Sequence, residues 1–233
     1  MFNYFPPLIN HPISINLRTL KKLLIIFFLL PINIWSDSNI DGQTVTFTQF
    51  INEMAKCTKY TTFENVKIRY KMPDDKEGMD KRFNGGESEL YINQSIRLIN
   101  CDFDVDYWLV LRNITFNDYF AIANSSPLKV IFKECTFKKT LRFYNNNIDF
   151  IDIDSCKLEH GFKFFRNDVK DRLTFKNCSV SVNPNLFGDT DALDMEPRLF
   201  RFANKQNGFD VDIADCVFDL PENLKNNPQF FLT

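Results

Sequence analysis

The chain has 233 residues, 44% of them hydrophobic and 25% charged, so it is long enough to bury one sizeable core. It contains 26 Phe but only 7 Gly, a balance that favours an aromatic-filled interior over glycine-rich loops that cradle ligands. The formal net charge is −2. This acidic balance argues against nucleic acid or an anionic membrane as a partner.

The N-terminus has the pattern of a secretory signal peptide, which we predict over residues 1–36. Lys21 and Lys22 precede an apolar run over residues 23–35, and polar residues follow it. This run is shorter than the ~20 residues that span a bilayer, so no stable membrane span is expected after cleavage. Residues 1–36 carry basic but no acidic side chains, so cleavage leaves a more acidic protein. We therefore expect a periplasmic, cell-surface or secreted protein.

Residues 37–62 are predicted to form a strand and a short helix. The segment 44–47 is rich in β-branched and aromatic residues, which favours a strand. Thr48 is the expected N-cap of the helix. The apolar side of this helix, suited to covering the end of a core, comprises Phe50, Ile51, Met54 and Ala55.

A short phrase then recurs with a regular period and is easiest to see at Cys135, Cys156 and Cys178, which are 21 and 22 residues apart. The residue three positions before each cysteine and the residue two positions after it are apolar, while the pair between the first two is mostly polar. A period of this length with strand-like alternation is typical of a solenoid, in which each coil buries its apolar side against its neighbours. The expected inward ladders are Phe132, Ile153 and Phe175; Phe137, Leu158 and Val180; and the three cysteines themselves.

Weaker copies of the phrase extend the predicted β-helix to residues 63–220, followed by a C-terminal tail over 221–233. They place Val66, Cys101, Ile114 and Cys216 in the cysteine column, and Ile213 and Phe218 in the two flanking ladders. The long intervals before Cys101 and before Cys216 predict insertions near 70–89 and 183–197, both emerging on one side of the solenoid. The step from Cys101 to Ile114 is too short for a full coil. Either Ile114 belongs to another strand, or the winding is irregular there.

A second phrase lies between the cysteines and consists of an alternating strand followed by asparagine. Asn124, Asn146 and Asn167 occupy this position. We expect the three residues to stack at one corner, where each amide can bond to the next coil and satisfy bent backbone groups.

Phrases such as Asn113-Ile114-Thr115-Phe116 at intervals of ~21 residues, with asparagine-bearing strands between them, resemble the right-handed parallel β-helix of the pectate-lyase-like group. The resemblance covers roughly residues 60–220. It implies an all-β fold of stacked coils, and it implies that many relatives cleave acidic glycans. The residues that carry it form no catalytic signature.

The six cysteines are expected to be mostly reduced thiols in a core ladder, because parallel side chains on adjacent coils hold the Cβ atoms too far apart for a disulfide. A bond involving Cys57, Cys101 or Cys216 stays open. The chain has no CxxC pair and only two histidines, His11 and His160, so neither a metal site nor a cofactor is expected.

The candidate binding residues are the aromatic Tyr107, Trp108 and Tyr119, some of which alternation would turn inward, and Asp189, Asp191 and Asp194 in the second insertion. The only other group of carboxylates that could serve an enzyme comprises Asp149, Asp152 and Asp154.

No serine elbow, HExxH or phosphate loop occurs in the chain. The favoured hypothesis is thus an exported, non-catalytic module that binds or scaffolds a glycan or a surface protein. A small lyase or hydrolase acting on acidic glycans and a purely structural surface protein remain alternatives. Contiguous aromatic side chains on the surface would favour binding, and carboxylates clustered in a groove would favour the enzyme.

Overall fold

The computed structural model describes residues 36–69, 89–103, 109–126, 128–181, 200–203 and 210–219, with the backbone alone at 200–203. Parallel strands stack into a β-solenoid of about 5 turns, each of ~22 residues, and one short helix lies near the N-terminal end. The solenoid expected from the repeat is therefore confirmed.

The strands form three stacked sheets and one short pair. Sheet I has seven strands: β1 Ser36–Asp37, β3 Thr61–Glu64, β6 Ile96–Ile99, β9 Phe120–Ala123, β12 Leu141–Tyr144, β15 Phe162–Phe165 and β18 Phe200–Ala203. Sheet II has five: β7 Leu109–Arg112, β10 Leu128–Lys133, β13 Asn147–Asp154, β16 Asp168–Lys176 and β19 Val211–Ala214. Sheet III has six: β5 Leu90–Ile92, β8 Ile114–Phe116, β11 Thr136–Phe137, β14 Lys157–Leu158, β17 Ser179–Ser181 and β20 Val217–Asp219. The remaining pair joins β2 Thr44–Thr46 to β4 Lys67–Arg69.

Two sharp corners flank sheet II in each coil, and both have the same backbone. The residue at each bend has a positive φ of 51° to 58°, which is the left-handed region that asparagine tolerates better than most residues. Ten non-glycine residues adopt it, six of them asparagine: Asn65, Asn100, Asn113, Asn124, Glu134, Asn145, Ser155, Arg166, Asn177 and Asp215. The polar pair in the repeat phrase is therefore the bend.

The corner between sheets II and III, which we call the thiol corner, carries Ile114, Cys135, Cys156, Cys178 and Cys216 directly after the bend. The corner between sheets I and II, the asparagine corner, carries Val66, Cys101, Ser125, Asn146 and Asn167. Cys101 thus belongs to the asparagine corner, because Leu98 pairs with Phe63 and Ile122 in sheet I. The short step from Cys101 to Ile114 joins two corners of a single coil, and neither of the two explanations offered by the sequence was right.

The same reassignment corrects the position of the insertions. The first one follows β4, directly after the asparagine corner, whereas the second one follows β17 in sheet III. The premise that both insertions follow the same strand of their coils was wrong, since the Phe63 phrase was assigned to the wrong corner. Residues 70–88 and 182–199 lie outside the described part of the chain, so the side on which the insertions emerge stays a prediction.

The interior of the described coils is rich in aromatic side chains. Twelve phenylalanines are fully buried, and they touch one another across coils; the rings of Phe116 and Phe137 stack with centroids 4.9 Å apart. Phe132, Ile153 and Phe175 lie in register on sheet II, and Phe137, Leu158 and Val180 do so on sheet III, all of them buried. Full burial of each such side chain contributes roughly 1.5–3 kcal/mol to stability.

The two flanking ladders end at the last described coil. Ile213 is 41% exposed and Phe218 is 37% exposed, although both continue buried columns. They were predicted to be inward members of those ladders. Their partial exposure follows from their place at the end of the stack, where only one side of each is covered by a described coil.

The N-terminal end is covered by helix α1, Phe47–Lys56. Its N-cap is Thr46, which forms a capping box with Gln49, so the predicted cap at Thr48 was two residues too late. Phe47, Phe50, Ile51 and Met54 are buried, and the Phe50 ring meets that of Phe63 edge-on at 5.7 Å.

Candidate functional site

Among the binding residues predicted from the sequence, Tyr119 is described and half-buried, whereas the others lie outside the described residues. Tyr107 and Trp108 fall in the gap 104–108, and Asp189, Asp191 and Asp194 fall in the gap 182–199. The candidate site is therefore built from the surfaces of the three sheets.

The outer face of sheet I carries a row of basic residues. Alternation along each strand turns every second side chain outward, and the pairing aligns Arg97, Ala121, Arg142 and Lys163 on successive strands. The next outward row is apolar and consists of Ile99, Ala123, Tyr144 and Phe165. A cationic row and an apolar row thus run side by side across four strands.

A groove forms where the outward side chains become short. Strand β9 contributes only Ala121 and Ala123 to this face, whereas the neighbouring strand β12 contributes Arg142 and Tyr144. The resulting cavity, which we call the alanine groove, has a volume of about 370 Å³. That volume falls in the range typical of small-ligand sites. Its lining comprises Ile96, Arg97, Tyr119, Ala121, Ile122, Ala123, Arg142, Phe143, Tyr144, Lys163 and Phe165.

Aromatic side chains border this groove. Tyr144 is 42% exposed, while Tyr119 and Phe165 are half-buried. The guanidinium of Arg142 lies over the Tyr119 ring at 4.4 Å, and the Lys139 ammonium lies 5.7 Å from the same ring. These contacts hold the Arg142 side chain beside the groove.

The described lining of the groove is basic. Among the described lining residues three are basic and none is acidic. Burial lowers the pKa of nearby His160, and the positive charges of Lys139 and Arg142 lower it further.

The outer face of sheet II has the opposite character, because its charges are paired. Asp152 accepts hydrogen bonds from Arg172 at 2.9 Å and from the Thr174 hydroxyl at 2.6 Å. Asp149 lies within 3.1 Å of Lys170, and Asp154 lies 3.8 Å from Lys133. The three carboxylates considered for an enzyme are therefore held by cations and a hydroxyl. Asp152 and Asp154 also line a second cavity, of about 320 Å³, on this face.

One further carboxylate beside this face has a changed pKa. The guanidinium of Arg112 donates two hydrogen bonds to Glu134, at 2.7 and 2.9 Å, and lowers its pKa. A carboxylic acid that acts as a general acid requires a raised pKa.

The thiol groups of the core cysteines are buried and form hydrogen bonds. None of the six cysteines forms a disulfide. Cys135, Cys156 and Cys178 each donate a hydrogen bond to a carbonyl of the preceding coil at 3.1 to 3.4 Å. Burial raises the pKa of Cys101 and of Cys178 to about 12, and it raises that of Cys156 as well. Such thiols are poor nucleophiles at neutral pH.

The described residues contain neither a cluster of metal ligands nor a membrane-spanning helix. No group of three or more His, Cys, Asp or Glu within them could hold a metal ion. Helix α1, the single helix in this part of the chain, is too short and too polar to cross a bilayer, and no described helix meets that requirement.

The chain matches no protein-family model, no curated protein and no solved structure. The β-solenoid architecture therefore rests on the structure itself, and the likeness to the pectate-lyase-like group stays a resemblance.

Proposed function

We propose that this chain is an exported, non-catalytic β-solenoid that binds a glycan through the alanine groove. The observation that carries the proposal is the combination of a cavity of about 370 Å³ with three aromatic side chains at its border. Sugar rings pack their apolar faces against aromatic rings, and polar groups at the rim fix their orientation. Tyr119, Tyr144 and Phe165 supply the aromatic surface, and the basic row supplies the polar groups at the rim.

Export is supported by the N-terminal sequence. The basic residues before an apolar run and the polar residues after it are the features of a secretory signal. Expression of the full chain, followed by fractionation and N-terminal sequencing of the exported product, tests this part. A product that stays inside the cell with its N-terminus intact would contradict it.

A lyase or hydrolase receives less support from the geometry. The groove has no carboxylate among its described lining residues, and Asp149, Asp152 and Asp154 on sheet II are engaged by cations. Glycoside hydrolysis requires two carboxylates across the scissile bond. Release of reducing ends or unsaturated products from acidic polysaccharides should therefore not be observed. If cleavage is observed, the non-catalytic proposal fails.

The binding site is tested by filling the groove. Ala121→Leu places a larger side chain on the floor without changing any charge, and it should abolish binding of the oligosaccharides that the unmodified chain recognises on a glycan array. Ser179→Leu, a half-buried position on sheet III, is the matched control and should bind as before. Far-UV circular dichroism should show that both variants are folded. Undiminished binding by folded Ala121→Leu would remove the groove from the proposal.

A further inference from the structure

The last described coil, residues 210–219, is more exposed than the coils before it. Ile213 pairs with the buried Phe175 and continues its inward column on sheet II, but it is 41% exposed. Val217 on sheet III is 67% exposed, whereas Ser179, with which it pairs, is half-buried. Strands β19 and β20 stand at the end of their sheets. The described residues therefore leave part of the core uncovered at this end of the solenoid, which we call the open end.

The opposite end shows how this solenoid is closed. Helix α1 adjoins the first coil and buries Phe47, Phe50, Ile51 and Met54 against it. A segment of 10 residues beside the end coil is thus enough to cover the core there. An end coil without such a cover exposes apolar side chains and unpaired strand edges to water. The open end needs a cover of the same kind.

The chain contains a segment of suitable composition directly after the open end. Residues 220–233, which we call the C-terminal segment, follow β20 and include five large apolar residues: Leu220, Leu224, Phe230, Phe231 and Leu232. We infer that the C-terminal segment packs over the open end, with Phe230, Phe231 and Leu232 against Ile213. This contact is within reach, because an extended chain covers about 3.3 Å per residue and can place Phe230 up to ~35 Å from Asp219. The inference does not depend on the proposed function.

Attachment to the end coil favours the C-terminal segment over any separate molecule. A segment joined to its site by a short flexible linker has an effective concentration in the millimolar range. A separate molecule at micromolar concentration competes poorly with it. The covalent connection through Asp219 therefore makes the chain's own segment the favoured occupant.

Charge disfavours a second copy of the chain that meets the open end with its own open end. Within residues 210–219 there are four acidic residues and no lysine or arginine: Asp210, Asp212, Asp215 and Asp219. None of the four forms an ion pair within the described residues. A two-fold dimer joined at the open ends would bring the two sets of carboxylates together. Like charges at an interface suppress association.

A second copy that offered its N-terminal end would present a polar surface. The outward side chains of α1 include Gln49, Asn52 and Lys56, and all three are exposed. They give Ile213 and Val217 no apolar surface to pack against. End-to-end stacking of the chain is therefore the weaker solution in both orientations.

The experiment removes the apolar cluster without shortening the chain. With Phe230→Ser and Phe231→Ser combined, the backbone amides of β19 and β20 should exchange with deuterium about tenfold faster than in the unmodified chain, because local opening then costs less free energy. Amides of β10 and β13, in the middle of the stack, should keep their rates within about twofold. Gln229→Ser combined with Thr233→Ser changes the same segment at two polar positions. This matched control should exchange like the unmodified chain.

A double-mutant cycle tests the contact itself. Ile213→Ala and Phe231→Ala should each lower the folding equilibrium constant measured by urea unfolding. If the two side chains touch, the effect of Ile213→Ala should be at least about threefold smaller when Phe231→Ala is already present. Ile92→Ala, at a buried position of β5 near the other end of the solenoid, is the control and should be additive with Phe231→Ala.

Three outcomes would overturn the inference. The first is exchange of the β19 and β20 amides at the same rate with and without the two phenylalanines, or an equal acceleration in the polar control. The second is additivity of Ile213→Ala and Phe231→Ala, which would place the C-terminal segment elsewhere. The third is amide protection that falls on dilution together with a dimer-to-monomer transition in sedimentation velocity. That result would assign the open end to a second copy of the chain.

Discussion

The thiol corner and the asparagine corner have the same backbone, but the buried side chains that follow their bends differ in chemistry. Where that side chain is a cysteine or an asparagine, it donates a hydrogen bond to one particular carbonyl of the preceding coil at either corner. Cys156 donates to Phe132 at 3.4 Å, and Asn146 donates to Ile122 at 2.9 Å. In each case the carbonyl lies three residues before the corresponding position of that coil.

The corners differ in the strength of the acceptor, because both side chains accept a backbone N–H from the preceding coil. The Asn146 side-chain oxygen takes the backbone N–H of Ser125 at 2.9 Å, whereas the Cys156 sulfur takes that of Cys135 at 3.4 Å. Sulfur is a weak acceptor and a weak donor, while an amide is strong in both roles. One backbone geometry is therefore compatible with either a small hydrophobic thiol or a fully hydrogen-bonded amide, but the loss of the side chain costs different amounts of stability at the two corners.

The largest loss of stability on substitution is expected at the asparagine corner. Asn146→Ala removes an acceptor and two donated hydrogen bonds, leaving the Ser125 N–H and the Ile122 carbonyl buried without this partner. Each unsatisfied buried group costs about 1–3 kcal/mol, so the free energy of unfolding should fall by about 3 kcal/mol. Equilibrium unfolding in urea measures it.

Its control is the neighbouring residue. Asn145 has a φ of 55°, and its half-buried side chain donates a hydrogen bond to Asn124 at 2.8 Å. Asn145→Gly keeps the bend, and relief of the left-handed conformation offsets the loss of this bond, so the free energy of unfolding should change by less than about 0.5 kcal/mol. A difference between the two variants of less than about 1 kcal/mol would show that the buried amide is no stronger than a half-buried one.

The thiol corner should lose less from the equivalent substitution. Cys156→Ala removes a weak S–H donor and leaves a small cavity, so we expect a loss of about 1 kcal/mol in the same urea experiment. This loss should be less than half of that at Asn146. If the two losses are equal, the thiols contribute as polar groups, and the distinction between the corners disappears.

The bends themselves are not equally well matched to their residues. Arg166 stands at the asparagine corner with a φ of 51°, where other coils have asparagine. A β-carbon in the left-handed region costs about 1–2 kcal/mol. Glycine avoids this cost but loses more chain entropy on folding, so the net gain is smaller. Arg166→Gly should therefore raise the free energy of unfolding by about 0.5–1 kcal/mol.

Arg166 also donates a hydrogen bond to the Tyr144 hydroxyl at 3.2 Å, but this contact is exposed and should offset little of the gain. Asn145→Gly, at the same bend one coil earlier, is again the reference. Destabilisation by Arg166→Gly together with no change in Asn145→Gly would show that side-chain contacts, not the backbone, determine the residue at this bend.

The sequence was sufficient to predict the solenoid but not to distinguish its corners. The spacing of Cys135, Cys156 and Cys178 determines the period, and the apolar positions around them determine which side faces inward. Both corners, however, need a residue that tolerates a positive φ followed by a buried side chain, so their phrases look alike. Cys101 was therefore assigned to the thiol corner, although it aligns with Ser125 at the asparagine corner.

The asparagine ladder was predicted correctly as a set of stacked amides, but with one residue in the wrong column. Asn146 and Asn167 are buried and bonded to each other, whereas Asn124 lies in the exposed bend column and accepts a hydrogen bond from Asn145 at 2.8 Å. Two asparagines in sequence at 145 and 146 occupy one position of each kind. A single sequence does not say which of them turns inward.

The alanine groove was not predicted, because it depends on strand register. Ala121 and Ala123 look unremarkable in the chain. They become a floor only when β9 is placed between strands that carry Arg97 on one side and Arg142 on the other. The signal that could have indicated it is the small, alternating pair within a strand whose neighbours in the repeat carry long side chains.

The third turn of the coil, between sheets III and I, carries neither the thiols nor the buried asparagines, and the change in stability expected there is the smallest. There His160 is half-buried, its carbonyl accepts the Thr140 hydroxyl at 3.1 Å, and burial with the charges of Lys139 and Arg142 lowers its pKa. The unfolded chain then takes up a proton more readily than the folded one, so stability present above pH ~6.5 declines as the pH falls through this range. The free energy of unfolding should decrease between pH 7 and pH 5.5, where carboxylates titrate little, and His160→Gln should remove most of that decrease. An unchanged pH slope in His160→Gln would show that other groups carry it, and that the turn is not electropositive enough to matter.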